Sequence, residues 1–147
     1  MVRTTLSFVL LIVFAGVAPA YSELTAWDQA AVTAAAGELS TAAQGLRDAL
    51  RTQSPPTVGQ PGRRAFFRLR EEMQVLVSAS GRLHRALEGG AGQEETRPTY
   101  RRLLQTARRA ERETRSVGLG EPVTGKIAAT ADAIRRIRPY YEEAPSL

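Results

Sequence analysis

The sequence predicts an all-α protein, an antiparallel four-helix bundle that follows an N-terminal signal peptide. Apolar residues recur in steps of three and four along four stretches, which is the spacing of one helix face, and no long stretch alternates as a strand does. Short segments rich in proline and glycine separate these stretches, which favours antiparallel neighbours. An apolar run with a positive start precedes all four.

The first twenty residues have the three parts of a secretory signal peptide. Arg3 gives a positive start, an apolar run follows over 6–17, and a small-residue Ala-Pro-Ala site predicts cleavage after Ala20. The alternative is an uncleaved membrane anchor, which needs about 20 apolar residues. This run is shorter and ends at Pro19, so we expect an exported protein, periplasmic or extracellular.

Removal of residues 1–20 leaves 127 of the 147 residues. That length suits one domain, and we assign residues 21–141 to the four-helix bundle and residues 142–147 to a flexible tail. The chain contains no cysteine. This excludes disulfides, thiolate metal sites and cysteine nucleophiles.

The first helix is predicted over 24–52, and its apolar face is rich in alanine. Thr25 and Asp28 resemble a capping box at its start. Two prolines, Pro55 and Pro56, open a linker that runs to Gly62. The predicted inward residues are Leu24, Trp27, Ala31, Ala35, Leu39, Ala42, Leu46 and Ala49.

The second helix is predicted over 63–88, and its apolar residues follow an unbroken heptad pattern. Gly89 and Gly90 supply a C-terminal cap. The predicted inward residues are Phe66, Leu69, Met73, Leu76, Ser80, Leu83 and Leu87.

The third helix is predicted over 94–117 and the fourth over 122–138, where Pro139 ends the regular helix. The inward residues of the third are Tyr100, Leu103, Ala107, Ala110, Thr114 and Val117. Those of the fourth are Val123, Ile127, Thr130, Ile134 and Ile137, with Tyr141 as an extension. Because the fourth helix is short, Phe67, Tyr140 and Tyr141 either cover an open end of the bundle or form a contact patch.

Arginine is concentrated in the second and third helices. Residues 62–118 carry thirteen arginines against seven acids, a net charge of +6, whereas residues 21–61 carry −2 and residues 119–147 are balanced. Guanidinium groups suit phosphates and carboxylates, so this hairpin predicts a face for an acidic protein, an acidic polymer or an anionic membrane surface. The arginines assigned to this face are Arg64, Arg68, Arg82, Arg101, Arg102, Arg108, Arg109, Arg112 and Arg115.

The alternative is an ordinary solvated surface, because glutamates are interleaved with these arginines. Helical spacing predicts three ion pairs: Arg68 with Glu72, Arg109 with Glu113, and Arg115 with Glu111. Nucleic acid is not an expected partner of an exported protein.

The sequence gives little support for catalysis or for a cofactor. His84 is the only histidine, and Gly81 stands where the carboxylate of a Glu-x-x-His metal motif would be. Met73 is about 16 Å from His84 along the same helix, so one haem iron cannot take both. Serine-elbow and phosphate-loop motifs are also missing. We therefore predict a non-enzymatic protein without a metal or cofactor.

Two other functions remain open. The first is a small-molecule carrier or sensor with a ligand site between the helices, beside the alanine face of the first helix; close packing of those alanines is the competing interpretation. A hydrolase that uses scattered glutamates and His84 ranks last. The apolar faces could also meet between chains, so we expect a monomer or a homodimer.

Overall fold

The computed structural model describes residues 24–142; the predicted signal peptide, and the predicted tail beyond residue 142, lie outside the described residues. The described part contains four α-helices and one 3-10 turn, with no strand. The helices are α1 (Gln29–Thr52), α2 (Arg63–Glu88), α3 (Gln93–Thr114) and α4 (Glu121–Ile137), and the turn is Arg138–Tyr140. The predicted all-helical class with four packed helices is confirmed.

The first helix begins at Gln29 rather than at residue 24, so the predicted start is wrong. Asp28 has an extended backbone, and its carboxylate accepts a hydrogen bond from the Ala31 amide at 2.9 Å. Asp28 is therefore the N-cap itself rather than the third residue of a capping box that starts at Thr25. The Thr25 amide instead donates to the Pro139 carbonyl at 2.8 Å, which ties the two ends of the described chain together.

The helices form a ring that is closed on three sides. α1 packs against α2 and α4, and α2 also packs against α3. In contrast, the α3 and α4 backbones hardly approach each other. The order around the ring is therefore α3, α2, α1, α4, with one open seam between α3 and α4.

The core confirms the predicted face of α2 and corrects that of α1. All seven predicted inward residues of α2 are buried. In α1, Leu39 and Leu46 are buried as predicted, but the other buried apolar positions are Val32, Ala36, Ala43 and Leu50. The predicted alanines, Ala31, Ala35, Ala42 and Ala49, lie half-buried at the edge of this face. The reason is that α1 contacts both α2 and α4, while alanine on several sides of α1 obscures the inward direction.

Aromatic residues close the end of the ring where α4 stops. Tyr141 is buried and stacks on Tyr100 with ring centroids 4.2 Å apart, while Trp27 meets Tyr141 edge-on at 5.5 Å. The hydroxyls of Thr96 and Tyr141 share a hydrogen bond of 2.7 Å. The short fourth helix is thus completed by the residues that follow it. Phe67 does not take part: it lies near the start of α2, at the opposite end of the ring, and is 39% exposed.

Candidate functional site

All nine arginines predicted to form the basic face are exposed, but three of them are paired with acids. Arg68 pairs with Glu113 at 2.9 Å, Arg109 with Glu72 at 3.8 Å, and Arg115 with Glu111 at 2.9 Å. Only the last of these is the pair that helical spacing predicted. The predicted pairs of Arg68 with Glu72 and of Arg109 with Glu113 are wrong, because the two glutamates bind the arginines of the neighbouring helix.

These crossed pairs follow from the antiparallel packing of α2 against α3. The side chains of Glu72 and Glu113 are only 21% and 22% exposed, since both lie along the seam between the two helices. The Glu113 carboxylate accepts a hydrogen bond from Arg68 and raises the pKa of that guanidinium. The predicted basic hairpin is therefore partly neutralised along its own seam.

Six of the predicted arginines form no ion pair with a described acidic residue: Arg64, Arg82, Arg101, Arg102, Arg108 and Arg112. Arg101, Arg108 and Arg112 lie on the outward face of α3, with the exposed Gln105 between them. The spacing of four, three and four residues places all four in one row about 16 Å long. We call Arg101, Arg108 and Arg112 the arginine stripe.

The open seam between α3 and α4 forms a cleft of about 270 Å³. Its floor is apolar and comes from Leu46 and Leu50 of α1 and from Leu69, Met73 and Leu76 of α2. Its walls come from α3 and α4, and among the apolar ones are Leu104, Ala107, Ile127 and Ile134. The predicted inward residues Ala107, Thr114, Ile127 and Ile134 are consequently half-buried rather than buried, because neither helix closes over the other's face.

Three arginines stand on the rim of this cleft. Arg108 belongs both to the rim and to the arginine stripe, so the two features are continuous. Arg135 and Arg138 come from the opposite side, where Arg135 pairs with Asp132 and Arg138 lies 3.4 Å from Glu142. The cleft therefore combines an apolar interior with a cationic edge.

Near Arg138, the hydroxyl of Tyr100 is buried without a hydrogen bond. The Tyr100 residue is 1% exposed, and its hydroxyl oxygen has no partner of acceptable geometry. Loss of water around the phenol raises its pKa, and Arg138 and Glu142 lie near enough to influence that pKa in opposite directions. An unsatisfied buried hydroxyl is uncommon in a folded protein.

His84 has an ordinary structural environment. Its ring packs against Gly37 of α1, where a Cβ would stand 3.0 Å from Nε2, and Nε2 lies 3.6 Å from Glu88. The predicted half-exposed position on the flank of α2 matches this placement. Within residues 24–142, no group of three or more His, Cys, Asp or Glu side chains is arranged to hold a metal ion.

Comparison with protein families, curated proteins and solved structures returned no match for this chain. In the part of the chain that the structure describes, no helix is long and apolar enough to cross a membrane.

Sequence reasoning placed the three arginines of the stripe within the predicted basic face, but it missed the cleft and its Arg135 and Arg138. A signal for the cleft was nevertheless present. Small residues recur on the inward face of α3 at Ala107 and Ala110, and they cannot fill the space that a short, sparsely apolar α4 leaves open.

Proposed function

We propose that this chain is an exported, non-enzymatic protein that binds an anionic lipid surface through the arginine stripe of α3. The observation that supports the proposal is that these three arginines form one outward row without an acidic partner among the described residues. A row of guanidinium groups attracts phosphates over a distance of about one Debye length, roughly 8–10 Å at physiological salt.

A lipid surface fits better than an acidic protein for a geometric reason. The stripe is straight and polar, with Gln105 as its only interruption, so its guanidinium groups face outward along one line. The apolar cleft opens directly beside it, and Arg108 lies on both. A membrane supplies negative headgroups and acyl chains together, which are the two chemistries that the adjacent features would recognise. The leader predicted at residues 1–20 would bring the chain to an envelope surface.

The proposal is tested by cosedimentation with vesicles of phosphatidylglycerol and phosphatidylcholine. The chain is expressed with its own leader and recovered from the exported fraction. Replacement of Arg101, Arg108 and Arg112 by Ala should weaken binding roughly a hundredfold, since each arginine at an anionic membrane contributes about 1 kcal/mol. Binding should also fall steeply as salt rises.

A matched control removes three arginines that also form no ion pair with a described acid but lie on α1 and α2: Arg51, Arg70 and Arg85. This variant has the same net charge and the same N-terminus as the stripe variant. It should bind nearly as well as the unaltered chain. Equally weakened vesicle binding in the two variants would show that net charge, rather than the arginine stripe, determines binding. Stripe-dependent binding to polyglutamate without binding to vesicles would overturn the choice of lipid in favour of an acidic polymer.

The cleft favours a second candidate function, a small-molecule carrier or sensor. The sequence-based version placed the ligand beside the alanine face of α1, whereas the open space lies between α3 and α4. Native mass spectrometry of protein purified from its own host should reveal an added mass that organic solvent removes. A protein that always carries the mass of the bare chain would count against this function.

A further inference from the structure

We infer that the cleft between α3 and α4 binds a single acyl chain that ends in an acidic group. The apolar chain would lie on the floor of the cleft, and the acid would lie at the end of the cleft where Arg135 and Arg138 reach the rim. The inference rests on the second candidate function, and it names the class of ligand and the direction in which it binds.

The size and shape of the cleft select a slender ligand. Its 270 Å³ lies just below the usual range of small-molecule sites, about 300–1,000 Å³. From Ile127 to Arg138 it extends about 16 Å along α4, given the helical rise per residue. A space of this volume and length accommodates one acyl chain of medium length.

The walls of the cleft retain apolar surface that a chain would cover. Ile127 and Ile134 are the large apolar residues of α4 that face the cleft, and both remain half-exposed. Leu104 faces them from α3, while Met73 forms part of the floor. Methionine adapts its shape to a flexible apolar ligand more readily than branched residues do. An acyl chain would therefore replace water against surfaces that the fold itself leaves uncovered.

Charge places the acid at the end of the cleft near Arg138. This end brings two arginines to the rim, Arg138 and Arg135, of which Arg135 is paired with Asp132. On the α3 side of the cleft, Arg108 is the only arginine among the lining residues. Arg138 is only loosely held by Glu142 at 3.4 Å, so a ligand carboxylate could take the place of Glu142.

The competing occupant of this apolar opening is a second copy of the chain. A dimer would cover the same half-exposed isoleucines but would not need an arginine at one end of the cleft. The loosely paired Arg138 therefore favours an acidic amphiphile, and the oligomeric state separates the two possibilities.

Calorimetric titration with decanoate and with 1-decanol tests the inference. The unaltered protein should bind decanoate at least tenfold more tightly than 1-decanol. Replacement of Arg138 by Ala should weaken decanoate binding about tenfold and leave 1-decanol unchanged. The matched control is Arg136→Ala, which removes a neighbouring charge that pairs with Glu38 of α1 outside the cleft, and it should bind decanoate as the unaltered protein does.

A second variant tests whether the ligand binds in the cleft. Ala131 lines the cleft from an exposed position on α4, so Ala131→Trp should block both ligands without disturbing the core, as circular dichroism would show. Undiminished binding in Ala131→Trp would overturn the site. Equal binding of decanoate and 1-decanol, unaffected by Arg138→Ala, would overturn the acidic ligand while the carrier function stands. If neither ligand binds and native mass spectrometry shows only the bare-chain mass, both the acidic ligand and the carrier function are overturned.

Light scattering would assign the cleft to a second copy of the chain if it showed a dimer that Ala131→Trp dissociates and that decanoate leaves intact.

Discussion

The two stacked tyrosines have different hydrogen-bonding roles within one aromatic cluster. The Tyr141 hydroxyl shares a bond with Thr96, whereas the Tyr100 hydroxyl has no partner. We expect Tyr141→Phe to lower the free energy of unfolding by about 1 kcal/mol, the usual net contribution of one hydrogen bond. Tyr100→Phe should change it by less than about 0.5 kcal/mol or raise it slightly, because a buried hydroxyl without a partner is unfavourable.

Urea denaturation of the two single variants measures this difference. Each variant serves as the control for the other, since both remove one hydroxyl from a buried ring in the same stack. An equal loss of stability in the two variants would contradict the assignment of the unsatisfied hydroxyl to Tyr100.

Both tyrosines also make the stability of the fold depend on alkaline pH. Burial raises the pKa of Tyr100 and of Tyr141 above the ordinary value of 10.0, because the folded environment disfavours the phenolate. A raised pKa contributes stability that is fully present below pH 10 and is lost as the pH rises toward the folded-state values. The melting temperature should therefore fall above about pH 10.

Thermal unfolding followed between pH 8 and pH 11.5 tests this dependence. The Tyr100→Phe and Tyr141→Phe variants should each show a shallower fall, and the double variant should show the shallowest. A Tyr140→Phe substitution is the control, since Tyr140 is only half-buried. The same slope in the unaltered chain and the double variant would show that other groups control alkaline unfolding.

At the level of the helices, the N-cap of α1 can be tested directly. Asp28→Ala should cost about 1 kcal/mol of unfolding free energy, because the Ala31 amide loses its acceptor. Thr25→Ala is the control, since Thr25 contributes its backbone amide rather than its side chain to the contact with Pro139. Urea denaturation measures the difference in unfolding free energy between the two variants. A larger cost for Thr25→Ala would restore the capping box that the sequence suggested.

The helices differ in how well the sequence predicted them, and the reasons are physical. In α2 the leucines share one face with Phe66 and Met73, so the heptad pattern identified every large buried residue and missed only Ala65 and Ala79. In α1 alanines lie on several sides, and burial depends on which neighbours pack against it. The partners of Glu72 and Glu113 depend likewise on the neighbouring helix, which helical spacing cannot reveal. The arginine stripe was predictable because its residues lie on one helix, whereas the cleft depends on how α3 and α4 are placed.

At the scale of the whole molecule, an open seam and a cationic row lie on the same side. A closed four-helix ring would have buried Ile127 and Ile134 and separated Arg108 from any apolar space. The open arrangement instead places charge and apolar surface next to each other. Such a surface suits an anionic amphiphile better than a purely polar anion or a purely apolar molecule.

The most direct test of this account asks which side of the molecule meets the lipid. The chain contains no cysteine, so a single introduced one gives a unique attachment site for an environment-sensitive fluorophore. Gln105→Cys places it inside the arginine stripe, and Ala34→Cys places it on an exposed position of α1, which is not adjacent to α3 in the ring. On addition of phosphatidylglycerol vesicles, the label at position 105 should shift to the blue and the label at position 34 should not. A shift at position 34 that equals or exceeds that at position 105 would contradict the account.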